Sequence, residues 1–121
     1  MKAWNRESRE LKLRYRERVS TVNAQYNRQQ VQLSHDIEQA RNERSLYIAK
    51  IKLLEDVDTN AEKINIVTER MRQYSLRKVD LDHERKLAIL ALDREYAAEV
   101  DALEAKYSVE LDEHGKEVVA V

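Results

Sequence analysis

From Met1 to His114 the chain contains neither a glycine nor a proline. These two residues are the usual punctuation of sheets, tight turns and compact loops, so a stretch of this length without them has few alternatives to the helix. The remaining composition agrees, since 37% of the residues are charged and 42% are hydrophobic, with only seven aromatic side chains. This balance is typical of long charged helices. We therefore expect an all-α protein.

Two stripes of apolar residues recur along the chain with the helical period. The stripe positions are 11, 15, 19, 22, 26, 30, 33, 37, 40, 44, 47, 51 and 54 in the first segment, and 64, 67, 71, 74, 78, 81, 85, 88, 92, 96, 99, 103 and 107 in the second. Polar residues interrupt the stripes at Gln30, Arg44, Lys78, Arg85 and Glu99. Each segment thus has one apolar face, as in a two-helix coiled coil.

A short break separates the two stripes. Thr59 can accept a hydrogen bond at a helix N-cap, and Glu62, three residues later, completes a capping box. We interpret Asp58, Thr59 and Glu62 as turn and cap residues. A connection this short makes the two helices antiparallel neighbours. The predicted organisation is a first helix over 1–57, a tight turn over 58–60, a second helix over 61–114 and a flexible tail over 115–121.

The predicted fold is a long antiparallel helical hairpin, with arms of about 75–80 Å. In the predicted register Leu54 faces Ile64, and the pairing continues to Tyr15 opposite Leu103. The same register predicts charge pairs between the helices at Arg6–Asp112, Arg9–Glu110, Arg14–Glu104 and Arg16–Asp101. The alternative is a parallel dimer of nearly continuous helices, which would form a rod about twice as long.

Six large apolar residues lie on outward positions of the predicted hairpin. A single exposed leucine needs no explanation, but six indicate a second surface that is covered in the functional protein. We therefore predict either a dimer, with two hairpins in a four-helix arrangement, or docking on another protein. The predicted interface consists of Leu46, Leu53, Ile66, Leu76, Leu87 and Leu90.

The run Asp56-x-Asp58-x-Asn60 has the spacing that opens a calcium-binding loop. Such a loop needs glycine at its sixth position and a bidentate glutamate at its twelfth. Ala61 and Val67 stand at those two positions. We therefore interpret the acidic run as a turn and a helix cap, and we predict no calcium site.

No other pattern predicts a metal, a cofactor or a catalytic residue. The chain has no cysteine and no glycine-rich phosphate loop, and none of its histidines follows a glutamate by three residues as in di-iron bundles. The polar run over 80–84 is typical of a solvated helix face. We expect a non-enzymatic protein without a cofactor. The three histidines are His35, His83 and His114.

The net charge of −1 conceals an asymmetry along the chain. Residues 1–50 carry 11 Lys and Arg against 6 Asp and Glu, whereas residues 51–121 carry 11 against 17. A basic helix can track a phosphate backbone, with Trp4 and Tyr15 stacking on bases. The competing interpretation, which the predicted register favours, is that the acidic second helix neutralises the basic stripe. The predicted nucleic-acid contacts are Lys2, Arg6, Arg9 and Arg16.

These patterns predict a structural, adaptor or assembly protein that acts through protein–protein binding, with nucleic-acid association as the alternative. In general appearance it resembles the small charged helical hairpins of secretion, chaperone and virion-assembly factors, and no motif selects one of these. We expect no membrane association and a cytoplasmic setting, because there is no apolar run of about 20 residues, no secretory signal and no cysteine. Whether Val118–Val121 forms a recognition peptide stays open.

Overall fold

Two long helices that pack against each other make up the fold. The structure, a computed structural model, describes residues 2–113 and the side chains of residues 2–108. Helix α1 spans Lys2–Lys52 and helix α2 spans Val57–Glu113, with no strand among the described residues. The all-α two-helix hairpin expected from the stripes is confirmed. The predicted tail over 115–121 lies outside the described residues.

The hairpin divides into two compact units. The turn unit is Ala24–Arg85 and contains the end of α1, the connection and the start of α2. The terminal unit combines Met1–Asn23 with Lys86–Val121. In each unit a segment of α1 packs against a segment of α2.

The connection lies at residues 53–56, and the predicted turn over 58–60 is wrong. The backbone N–H of Asn60 donates to the carbonyl of Asp56 at 2.9 Å, so Asp56 precedes the first turn of α2. Thr59 is therefore inside the helix, and no hydrogen bond joins it to Glu62 in the described part of the chain. Asp56 and Thr59 are both residue types that can cap a helix, so residue type alone does not distinguish the two starting points of α2. Asp58 lies in the first turn, where the helix dipole favours an acidic side chain.

The chain reverses without a glycine by ending α1 in a Schellman motif. The N–H of Glu55 donates to the carbonyl of Lys50 at 3.0 Å, and the N–H of Leu54 donates to the carbonyl of Ile51 at 2.9 Å. This pair of bonds requires a left-handed residue between the helix and the loop, a position usually filled by glycine. Leu54 adopts it with φ 59°, and Asp56 follows with φ 40°. Two non-glycine residues thus produce the reversal.

The two predicted stripes form the seam between the helices. Every stripe position except Leu54 in the connection and Glu99 in α2 is buried or half-buried. The hydrophobic core consists of Leu11, Ala40, Val67, Leu81 and Tyr107. The spacing of apolar residues therefore identified the contact face of both helices.

The register along the seam differs from the predicted one by one heptad. Tyr15 stacks on Tyr96, with ring centroids 4.6 Å apart, and Tyr96 lies seven residues before the predicted partner Leu103. In the turn unit, the Nζ of Lys63 lies 5.5 Å from the ring centroid of Tyr47. A shift of seven residues leaves both apolar stripes facing each other, so the stripes alone do not distinguish the two registers. The connection lies at residues 53–56 and not at 58–60, and this earlier reversal selects the observed register.

The predicted charge pairs follow the wrong register. Arg14–Glu104 and Arg16–Asp101 do not form between these described residues, and Asp112 and Glu110, the predicted partners of Arg6 and Arg9, have side chains outside the described range. The observed ion pairs between the helices are Arg18–Glu95, Arg70–Glu43 and Lys106–Glu7, at N–O distances of 3.3, 3.3 and 3.2 Å.

Two polar residues of the seam bond across it. The Nε2 of Gln30 donates to the backbone carbonyl of Lys78 at 2.8 Å, and the Nζ of Lys78 donates to the Oγ of Ser34 at 2.9 Å. Because these bonds pair the polar seam positions 30 and 78, they favour the observed register over registers shifted by seven residues. Among the described residues, neither helix has an apolar segment long enough to cross a membrane.

Candidate functional site

The connection presents apolar side chains to solvent. Leu53 is 70% exposed and Leu54 is 84% exposed, and Val57 at the start of α2 is also exposed. The sequence places Leu54 on the stripe, but the left-handed conformation that ends α1 turns its side chain away from the seam. Leu53, Leu54 and Val57 therefore form an exposed apolar tip at the connection, where the sequence predicted the last buried layer of the seam.

The six predicted interface residues are all exposed, with exposed fractions from 44% to 70%. They are divided between the two units. Leu46, Leu53, Ile66 and Leu76 belong to the turn unit, and Leu87 and Leu90 belong to the terminal unit. The turn unit thus carries four of the six, together with the apolar tip.

Three further exposed apolar residues of the turn unit escaped the sequence analysis, namely Val31, Ile48 and Val79. Val31 and Val79 are more than 60% exposed. Both lie off the stripes, so the criterion that selected the five leucines and one isoleucine would also have found these β-branched residues. With them, most large exposed apolar side chains of the described chain lie in the turn unit.

The turn unit is electrically neutral, with 11 Lys and Arg and 11 Asp and Glu within Ala24–Arg85. Several of its charges are paired locally. Arg72 bonds Glu69 and Arg41 bonds Glu38 within single helices, and Arg77 bonds Glu84, each at 2.8 or 2.9 Å. Because the unit has no net charge, electrostatic repulsion does not oppose contact between two copies of it.

Hydrogen bonds that involve carboxylates shift the pKa values of Glu69 and Tyr47 in this unit. Arg72 and Gln73 donate to Glu69, which lowers the pKa of that carboxyl to about 2. The hydroxyl of Tyr47 donates to Glu43 at 2.7 Å, which raises the pKa of the tyrosine. Both groups are at the protein surface and belong to helix-surface networks, and neither lines an enclosed cavity.

The acidic run of the connection is used for structure. Asn60 is only 3% exposed, and its Nδ2 donates to the carbonyl of Glu55 at 2.9 Å. Its amide therefore closes the connection and does not face a loop that could hold calcium. Across the described residues, no group of three or more His, Asp or Glu side chains is arranged to hold a metal ion. His35 and His83 are exposed.

Within the polar run over 80–84, Asp80 and His83 are exposed, whereas Asp82 and Glu84 are half-buried. Asp82 pairs with Arg85 at 2.9 Å, and Glu84 pairs with Arg77 at the same distance. A general acid or base usually lies in a concave, mostly apolar pocket that perturbs its pKa. Here the carboxylates of Asp82 and Glu84 bond to arginines of the same helix, an arrangement that stabilises helices.

The four predicted nucleic-acid contacts lie in the terminal unit. Lys2, Arg6, Arg9 and Arg16 are all exposed, and none forms an ion pair within the part of the chain that the structure describes. Tyr15, predicted to stack on bases, is instead stacked on Tyr96, and its hydroxyl donates to Asp93, which raises the pKa of the tyrosine. The cations are therefore accessible, one predicted aromatic partner, Tyr15, is occupied, and the other, Trp4, is half-buried.

Comparisons with known proteins found no match: neither a protein-family model, nor a curated protein, nor a solved structure is similar to this chain. The two surfaces described above, one apolar and one basic, are the observations from which a function is argued.

Proposed function

We propose that this chain is a non-enzymatic structural or assembly protein that works by protein–protein binding, and that its first partner is a second copy of itself. The contact runs through the apolar surface of the turn unit, which we define as Leu46, Leu53, Leu54 and Ile66. Two hairpins then form the four-helix arrangement predicted above. A cytoplasmic setting belongs to the same proposal and suits a chain without cysteine.

The observation that carries the proposal is the exposure of this apolar surface. Each of its four side chains is at least 58% exposed. Burying one leucine or isoleucine completely contributes about 1.5–3 kcal/mol. In a symmetric dimer every such residue is buried twice, because the same surface of both copies takes part.

The total surface area supports the same conclusion. The chain exposes 9188 Å² for a mass of 14.3 kDa. A folded monomer of this mass exposes about 6,800 Å² by the usual scaling with mass. The excess of roughly 2,400 Å² is larger than the ~800 Å² that each partner buries in a typical stable interface. A dimer would bring the exposed area per chain closer to that of a globular protein.

The absence of net charge on the turn unit supports a second copy as the occupant. A partner recognised by its charge would need a surface of one sign, and the turn unit carries equal numbers of acidic and basic residues. Two neutral units approach without repulsion, and apolar contact then decides the association.

Sedimentation equilibrium at 1–100 µM tests the proposal, with concentrations chosen on the scale of a micromolar dissociation constant. We expect the wild-type chain to approach twice the monomer mass. Leu46→Asp should weaken the dimer at least about tenfold, since the leucine is buried in both copies. Leu13→Asp is the matched control, because Leu13 lies on the same helix with 56% exposure against 58% for Leu46.

A wild-type chain that stays monomeric at 100 µM while circular dichroism shows full helicity would exclude self-association. Equal weakening by Leu46→Asp and Leu13→Asp would exclude this surface. If the wild type is monomeric and captures a protein from the source cell that Leu46→Asp loses and Leu13→Asp keeps, the occupant is a different protein.

A further inference from the structure

We infer that the outward face of α1 in the terminal unit binds the phosphate backbone of double-stranded nucleic acid. We call this surface the basic face, and it consists of Lys2, Arg6, Arg9, Lys12 and Arg16. The inference does not rest on self-association, because no member of the basic face belongs to the apolar surface of the turn unit.

The basic face is a continuous strip of positive charge. At 100° per residue its five cations fall within an arc of roughly 120° that begins beside the seam, at Lys12, and extends away from it. Three of them, Lys2, Arg9 and Arg16, are seven residues apart and so follow one line along the helix. Glu10 and Glu17 border the arc on one side, and no carboxylate of α1 up to Asn23 lies inside it. The strip is about 21 Å long.

The five cations of the basic face are accessible to solvent. All five are exposed, and none is in an ion pair within the described residues. The neutralisation expected from the acidic second helix depended on the predicted register, in which Arg14 and Arg16 met Glu104 and Asp101. The observed register separates those pairs. Several carboxylates of the terminal unit are instead bound elsewhere, with Glu7 on Lys106 and Glu95 on Arg18.

Part of the basic face borders a groove. An open concavity of about 520 Å³ is lined by Lys2, Asn5, Arg6, Arg9 and Glu10. Three of its five lining residues are cations of the basic face. A phosphodiester strand placed in this groove meets Lys2, Arg6 and Arg9, which lie on successive turns of α1.

The basic face fits a duplex backbone better than other polyanions. Single strands are usually held by stacking on aromatic rings, and of the two predicted rings Tyr15 is already stacked on Tyr96 and Trp4 is half-buried. A membrane-surface helix needs an apolar face beside its basic one, and here the large apolar residues of this segment lie towards the seam, with Leu11 only 6% exposed, except for Leu13, which is 56% exposed. Phosphate contacts alone give binding without sequence preference.

Fluorescence anisotropy of a labelled mixed-sequence 25-base-pair DNA tests the inference. We expect binding at low salt, with a slope of log K against log salt of about −3 to −5, since each phosphate contact contributes about −0.9. Arg9→Gln/Arg16→Gln should make the slope shallower by about 2 and weaken binding on the order of 50-fold at 0.1 M salt. Arg28→Gln/Lys52→Gln is the matched control, because it removes two exposed cations of the turn unit.

Absence of binding to the duplex at ~20 mM salt, where phosphate contacts are strongest, would overturn the inference. Equal loss in the two double variants would also overturn it, since attraction would then follow net charge and not this face. Tighter binding to single-stranded DNA, to poly-glutamate or to phosphatidylserine vesicles than to the duplex would assign the basic face to that ligand instead. The Leu46→Asp variant should still bind the duplex, which separates this inference from the proposed dimer.

Discussion

Leu54 is the residue at which this hairpin departs most from what its sequence predicts. It closes the Schellman motif of α1 in the left-handed conformation, with φ 59°. For a residue with a Cβ this conformation costs about 1–2 kcal/mol. The side chain is also 84% exposed, so it regains none of that cost by packing in the monomer. A strained backbone that displays an apolar side chain is typical of a binding residue.

Replacing Leu54 by glycine should stabilise the protein relative to replacing it by alanine. Both changes remove the side chain, so any effect on self-association cancels between them. Glycine relieves the left-handed strain, and its greater freedom in the unfolded chain offsets part of the gain, which leaves about 0.5–1 kcal/mol in favour of Leu54→Gly. Urea unfolding of the two variants measures the difference. Equal free energies of unfolding would show that the backbone at this position is unstrained.

Asn60 shows why the connection could not be located from residue types alone. Asp56, Asp58, Thr59 and Asn60 can each cap a helix, so the sequence offers several starting points for α2. The structure uses the carbonyl of Asp56 and buries the Asn60 side chain against the carbonyl of Glu55. Choosing between the candidates requires the left-handed conformations at the end of α1, which are not evident in a sequence without glycine.

At the scale of the elements, the contact faces were predictable and the register was not. The stripes that begin at Leu11 and Ile64 each identify a face by spacing alone, and nearly all their positions are covered. The register depends on where the chain turns, and an error of a few residues there moves Tyr15 from Tyr96 to Leu103. A heptad repeat tolerates such a shift without exposing apolar residues. Whether the acidic second helix neutralises the basic face depends on this register.

Glu7 ties the two helices of the terminal unit together and should make their contact sensitive to acid. It accepts hydrogen bonds from the hydroxyl of Tyr107 at 2.7 Å and from Lys106, and these bonds lower its pKa from the ordinary value of 4.5. A carboxyl with a lowered pKa stabilises the fold above its unfolded pKa and loses that contribution as the pH falls through the folded value. We therefore expect Glu7→Gln to lower the melting temperature at pH 7, with a difference from wild type that shrinks below pH 4.5.

Thermal unfolding followed by circular dichroism from pH 7 to pH 3 measures this difference. Glu10→Gln is the control, because Glu10 is an exposed glutamate of the same helix with no hydrogen bond in the described residues. Its melting temperature should differ little from wild type. A Glu7→Gln difference that is independent of pH would mean that the charge of Glu7 does not contribute to the contact.

At the scale of the whole molecule, the two units differ in how the chain assembles them. In the turn unit the two helical segments are joined directly by the connection at residues 53–56. The two segments of the terminal unit are joined only through the entire turn unit, so closing their contacts without it costs more chain entropy. The terminal unit should therefore depend on a folded turn unit, and the turn unit should be able to stay folded when the terminal unit opens.

One leucine in the core of each unit tests this order. Leu11 in the terminal unit is 6% exposed and Leu81 in the turn unit is 1% exposed, and truncation of a buried leucine to alanine costs about 2–5 kcal/mol. Native-state hydrogen exchange should show that Leu11→Ala accelerates exchange in residues 2–23 and 86–113 while residues 24–85 keep their protection. Leu81→Ala should accelerate exchange in both units, because opening the turn unit removes the connection that holds the terminal segments together. If Leu11→Ala instead reduces protection equally throughout the chain, the hairpin unfolds as one cooperative unit, and the basic face and the apolar surface share a single folding equilibrium.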